Sequence, residues 1–219
     1  MLLPAKELLD IKQHNIGLYL GSFDPVHKAH IDILLRIKDD YQLQHITYVP
    51  TGVSPVGRKF RADYEDRVTM LENATKGDDF FSVSDFENSS KKTAYSINTI
   101  HHFEEKHNTS FIRLIMGEDN FIDFTNWYKY EEILLCTNII VLCRDNLSSY
   151  GNISILTDYI EKDIKLFNKS RSGKIHFASK FKSDLSASLI RDLINHKKSI
   201  KNYVTNENYE YIENKGLYK

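Results

Sequence analysis

Two histidines one helical turn apart, His27 and His30, follow the run Gly21-Ser22-Phe23-Asp24-Pro25-Val26. Upstream, Ile16 to Leu20 reads as a short buried strand. Gly21 and Pro25 punctuate a turn, and Ile31, Ile33, Leu34, Leu35 and Ile37 supply the apolar content of a helix. The histidines therefore fall in the first turn of that helix and share a face. A helix start offers unpaired N–H groups and the positive end of the macrodipole, so imidazoles added there suit a phosphate. The glycine spacing of a dinucleotide loop and the Gly-Lys-Ser/Thr of a Walker loop are both absent from this turn. Zinc is not expected, because no second His/Cys pair has ligand spacing. Read alone, H-x-x-H at a helix start also fits two surface histidines.

A second cluster of donors lies near the other end of the chain. Ser186-Ala187-Ser188-Leu189-Ile190-Arg191 opens an amphipathic helix that continues through Leu193 and Ile194, with Ser186 or Asp184 as its cap. Two hydroxyls, a helix start and a guanidinium offer several hydrogen bonds to phosphate oxygens. Local capping and an ordinary surface charge would explain the same residues.

The elements that must position these groups alternate. Strand-like segments are Ile46 to Val49, Phe80 to Phe86, Phe111 to Met116, the run Ile139 to Leu142, and Ile175 to Ala178. Between them lie a helix capped by Asp63, a helix over 94–107 with Ile97, Ile100 and Phe103 spaced three apart, and a helix around 158–167. This order predicts an α/β fold, a doubly wound and mainly parallel sheet with helices on both faces. In such a sheet ligands bind beyond the carboxyl ends of the strands, so residues after Leu20, Val49, Met116 and Leu142 should meet in one crevice.

With these residues quoted, the opening resembles the G-(T/S)-F-D-P-x-H-x-G-H start of the bacterial nicotinate mononucleotide adenylyltransferases, within the (H/T)-x-G-H nucleotidyltransferase superfamily. Ala29 stands where that family usually has Gly, which tightens a close approach without blocking it. The late segment is similar to I-S-S-T-x-I-R, with Leu185, Ala187 and Ser188 at the varied positions. Tyr95-Ser96-Ile97-Asn98-Thr99-Ile100 is similar to S-Y-T-x-x-T-(L/I), and Gly117-Glu118-Asp119 with Trp127 is similar to G-(A/S)-D-x(n)-W.

The resemblance implies a Rossmann-like nucleotidyltransferase fold and transfer of the adenylyl group of ATP to nicotinate mononucleotide, with Mg²⁺ held mainly by ATP. It implies His27, His30 and Arg191 as catalytic residues. Gly21, Ser22, Phe23, Gly117, Asp119, Ser186 and Ser188 join them as nucleotide-binding positions, and Lys59, Tyr95, Ser96, Trp127 and Arg144 as substrate-binding ones. Trp127, the single tryptophan, equally fits a core anchor. The family's P-P-H-K after the second strand is replaced by Ser54-Pro55-Val56-Gly57-Arg58-Lys59, so Lys59 or Arg58 must supply the cation. Rival readings are a transferase for nicotinamide mononucleotide, phosphopantetheine or a cytidylyl donor, and a nucleotide-sensing module without catalysis.

Composition sets outer bounds. A length of 219 residues with 41% hydrophobic content fits one domain (1–219), with a short helical extension over 1–14 and a C-terminal helical part over 179–219. A net charge of −1 gives no global field for nucleic acid or a membrane, and no apolar run approaches the length of a membrane span. Cys136 and Cys143 read as reduced core residues of a cytoplasmic protein. The helix pattern is equally compatible with a monomer and a homo-oligomer.

Overall fold

The computed structural model describes residues 15–89, 93–107, 111–143, 153–179, 181 and 183–219. The N-terminal extension and Arg144 lie outside the described residues. Six parallel strands form one sheet in the order β3-β2-β1-β4-β5-β6: β1 (Ile16–Gly21), β2 (His45–Pro50), β3 (Phe81–Val83), β4 (Ile112–Gly117), β5 (Asn138–Leu142) and β6 (Ile175–Ala178). The order reverses direction between β1 and β4, which opens a crevice at their carboxyl ends.

The helices are α1 (Lys28–Ile37), α2 (Tyr64–Thr75), α3 (Phe86–Ser89), α4 (Ser96–His107), α5 (Glu118–Ile122), α6 (Tyr130–Cys136), α7 (Ile164–Lys169), α8 (Ala187–Asn195) and α9 (Asn206–Lys215). Central strands alternate faces, as the pleat requires. Ile16, Leu18 and Leu20 of β1 pack with Ile97 and Phe103 of α4 and Ile133 of α6. Tyr19, from the same strand, packs on the opposite side with Ile33 of α1, Met70 of α2, Ile190 of α8 and Ile212 of α9. Both faces are covered by helices, as the alternating pattern predicts.

Two local expectations are corrected. The strand expected over 80–86 pairs only through Phe81–Val83, because Ser84 Oγ accepts the Phe86 N–H and turns the chain into α3. The helix expected over 158–167 is broken. Ile160 bridges to Ile175 beside β6, and Asp163 then caps α7 by accepting the Lys165 N–H at 2.8 Å. Asp63 does stand at the cap position of α2, and Ser186, not Asp184, caps α8, accepting the Leu189 N–H at 3.1 Å.

Candidate active site

The loop after β1 is shaped by packing. Phe23 adopts φ +47° and folds its ring back over Gly21, where a Cβ would stand 3.0 Å from the ring. That ring is buried against Tyr19, Tyr48 and His30, so the side chain supports the site from the core side. Asp24 is also buried, and its two oxygens accept the backbone N–H groups of Arg61 at 2.7 Å and Ala62 at 3.1 Å. Arg67, only 1% exposed, lies across the Phe60 ring and donates to the carbonyls of Ser22 at 2.9 Å and Thr51 at 2.8 Å. One guanidinium thus ties the loops after β1 and β2 together.

His27 ends the loop in extended conformation, and α1 begins at Lys28. Its backbone N–H donates to His30 Nδ1 at 3.2 Å, and the two rings stack with centroids 3.6 Å apart. Because Nδ1 accepts that bond, a neutral His30 carries its proton on Nε2. Arg191 reaches the same loop from α8. It donates to the Asp24 carbonyl at 2.5 Å and to Ser188 Oγ at 3.3 Å. Residues separated by more than 160 positions in the chain are thereby locked together at the end of β1.

Two hollows flank this loop. The larger, about 490 Å³, is walled by Gly21 and Ser22, Arg58, Glu87, Tyr95 and Ser96, and by Trp127 and Tyr128. The smaller, about 40 Å³, lies against His27, Ala29 and His30, with Gly117 and Leu185 across it. Tyr95 and Tyr128 meet at a tilt with 4.5 Å between centroids, and Trp127 leans edge-on against Phe124 while still facing the larger cavity. Its two readings, core anchor and cavity wall, are both realised.

The sequence-derived residues divide accordingly. Gly21, Ser22, Tyr95, Ser96 and Trp127 meet at the larger cavity, while His27, His30 and Gly117 meet at the smaller. Ser186 is occupied as a helix cap, and Ser188 accepts from Arg191. Lys59 is exposed and lines neither hollow; Arg58 takes the place in the wall. Asp119 is likewise exposed and outside both, and its neighbour Asn120 faces the larger cavity.

Glu87 and Arg67 escaped the sequence reading. Glu87 is 4% exposed in the wall of the larger cavity, accepting from Thr99 Oγ1 at 2.9 Å and from the Gly52 N–H at 3.3 Å. Burial pushes its carboxyl up to about 7, against the opposing effect of those two hydrogen bonds. Gly52 is obligatory there, since a Cβ would run into the Glu87 carbonyl. Arg67 left a legible trace: it shares the apolar face of α2 with Met70 and Leu71. Nothing in the local pattern marks Glu87.

Residues 18–193 match the family described as cytidylyltransferase-like. A probable nicotinate-nucleotide adenylyltransferase of Caldicellulosiruptor saccharolyticus is 31% identical over 93% of this chain and 98% of its own length. The chain belongs to the nicotinate-nucleotide adenylyltransferases of the cytidylyltransferase-like family. A second such relative, from Legionella pneumophila, is 27% identical over 94% of this chain and all of its own. The fold of this family member matches that of Plasmodium falciparum nicotinic acid mononucleotide adenylyltransferase complexed with NaAD. The TM-score is 0.69 at 20% identity, over 93% of this chain and 97% of that one.

Proposed function

We propose that this adenylyltransferase joins ATP and nicotinate mononucleotide across the loop after β1. A phosphate oxygen of the mononucleotide attacks the α-phosphorus of ATP. The bond from the α-phosphorus to the bridging oxygen breaks, pyrophosphate leaves, and nicotinate adenine dinucleotide forms. The observation that carries this reading is the pair of hollows on either side of one histidine-bearing loop. The larger has aromatic walls for a pyridine ring, and Ser96 with the start of α4 offers donors to its carboxylate. The smaller, lined by His27, Ala29 and His30, marks where one phosphate end of the nucleotide meets the loop.

No protein nucleophile is required, because the attacking phosphate is already an oxyanion. Catalysis then rests on in-line placement and on donors aimed at charge that develops on the transferred and leaving phosphates. His30 supplies Nε2–H, His27 its stacked ring, and Arg191 a guanidinium held by the Asp24 carbonyl. Mg²⁺ fits as a passenger of the nucleotide, offsetting polyphosphate charge. Asp24, three residues before His27, already has both oxygens engaged by backbone N–H groups. The reading includes a cytoplasmic location, in keeping with Cys136 and Cys143 forming no disulfide.

The test is transfer of label. With ATP radiolabelled at the α-phosphorus, Mg²⁺ and nicotinate mononucleotide, the label should appear in the dinucleotide. Label confined to AMP would mean hydrolysis, and label left in ATP would favour a non-catalytic nucleotide sensor.

A further inference from the structure

A second constellation lies between α4 and α6, away from both hollows. His101 and Glu104 are three apart on α4, and Glu132 and Cys136 are four apart on α6, so each pair projects from one helical face. The packing of α4 against α6 turns those faces toward each other. One ligand atom from each of His101, Glu104 and Cys136 lies within 4.8 Å of the others. His101 Nε2 stands 3.6 Å from Cys136 Sγ and 3.5 Å from Glu132 Oε1. All four side chains are partly exposed, so an ion can enter.

The His101–Cys136 separation matches one edge of a tetrahedron around a metal, and Glu104 lies within reach of both. Bonds of about 2.3 Å to sulfur and about 2.0 to 2.1 Å to nitrogen or oxygen, at tetrahedral angles, place sulfur and nitrogen about 3.6 Å apart. The same bond lengths place nitrogen and oxygen about 3.4 Å apart. We propose that His101, Glu104 and Cys136 form a zinc site that clamps α4 to α6, with water completing the tetrahedron. Thiolate, imidazole and carboxylate together are a borderline-soft set that favours Zn²⁺ over Mg²⁺ or Ca²⁺.

Glu132 flanks the cluster: Lys129 holds its Oε2 at 2.8 Å, and its Oε1 faces His101. Zn²⁺ binding would release the Cys136 thiol proton to solvent as the S–Zn bond forms. The clamp also has a place in the architecture. The N-terminal end of α4 carries Tyr95 and Ser96, and the segment leading into α6 carries Trp127 and Tyr128, so the site would fix two walls of the larger cavity. Sequence spacing hides it because the three ligands come from two helices and include one cysteine and one histidine.

The experiment is a Co²⁺ titration of the full chain after chelation, followed by Zn²⁺. The expected result is a thiolate-to-cobalt charge-transfer band with intense tetrahedral d–d bands, saturating at one equivalent and abolished by Zn²⁺. Cys136→Ser should lose the charge-transfer band, and His101→Gln should weaken Co²⁺ binding by about 100-fold. Absence of the band, or its persistence in Cys136→Ser through Cys143, would overturn the proposal. If Cys136→Ser fails to fold, melting decides: Zn²⁺ should raise the melting temperature of the wild type and leave His101→Gln unmoved. An equal rise in both would refute the site.

Discussion

The proton of His30 is directed by a backbone contact. The His27 N–H occupies Nδ1, so Nε2 is the donor that a neutral ring offers to phosphate oxygens. His30→Ala is expected to lower turnover at least about tenfold, equivalent to about 1.4 kcal/mol of transition-state stabilisation, with the melting temperature little changed. Near-normal steady-state turnover by the folded variant would remove His30 from the mechanism. Glu87 supplies a different kind of prediction. Its ordinary value is 4.5 and its folded value about 7, so the folded protein holds this proton more tightly than the unfolded chain. The resulting stabilisation is complete below the lower value and is lost as pH rises through the higher one. Glu87→Gln keeps the site neutral. Its stability relative to wild type should therefore climb between pH 5 and pH 8, by at most about 3 kcal/mol in denaturant titrations. A difference that stays flat across that range would contradict the raised carboxyl.

At the scale of elements, the site depends on loops tied to one another across the sheet. Arg67 joins the loops after β1 and β2, and Arg191 joins α8 to the first of them. Arg67→Met should preserve much of the side-chain volume yet leave the Ser22 and Thr51 carbonyls unpaired. A destabilisation of about 3 kcal/mol is expected, with a raised KM for the mononucleotide proposed to occupy the larger cavity that these loops wall. Unchanged stability and KM would mean that water replaces the guanidinium without cost. Alternating strands and amphipathic helices were legible because their periodicity is local: Ile16, Leu18 and Leu20 face one layer, and Ile190 and Ile194 mark the buried stripe of α8. The break between residues 160 and 163 was not, because it follows from pairing of Ile160 with a strand fifteen residues further on.

At the scale of the molecule, the reversal of strand order between β1 and β4 explains why a histidine pair near residue 30 and an arginine near residue 190 serve one loop. The histidine turn, Tyr95, Ser96 and Trp127 were readable because each sits in a compact motif. Glu87 and the His101–Cys136 cluster were not, since burial and helix apposition belong to the assembled chain. Among the described residues no helix is long and apolar enough to cross a membrane. The central claim is that ATP and an acidic pyridine mononucleotide meet at the histidine loop, with the pyridine in the larger cavity. It is tested most directly by pyrophosphate release with ATP and Mg²⁺, comparing nicotinate mononucleotide, nicotinamide mononucleotide and no acceptor. The account predicts release that depends on acceptor, with kcat/KM at least about tenfold higher for the acid than for the amide. Preference for the amide, or no release with either, would contradict it.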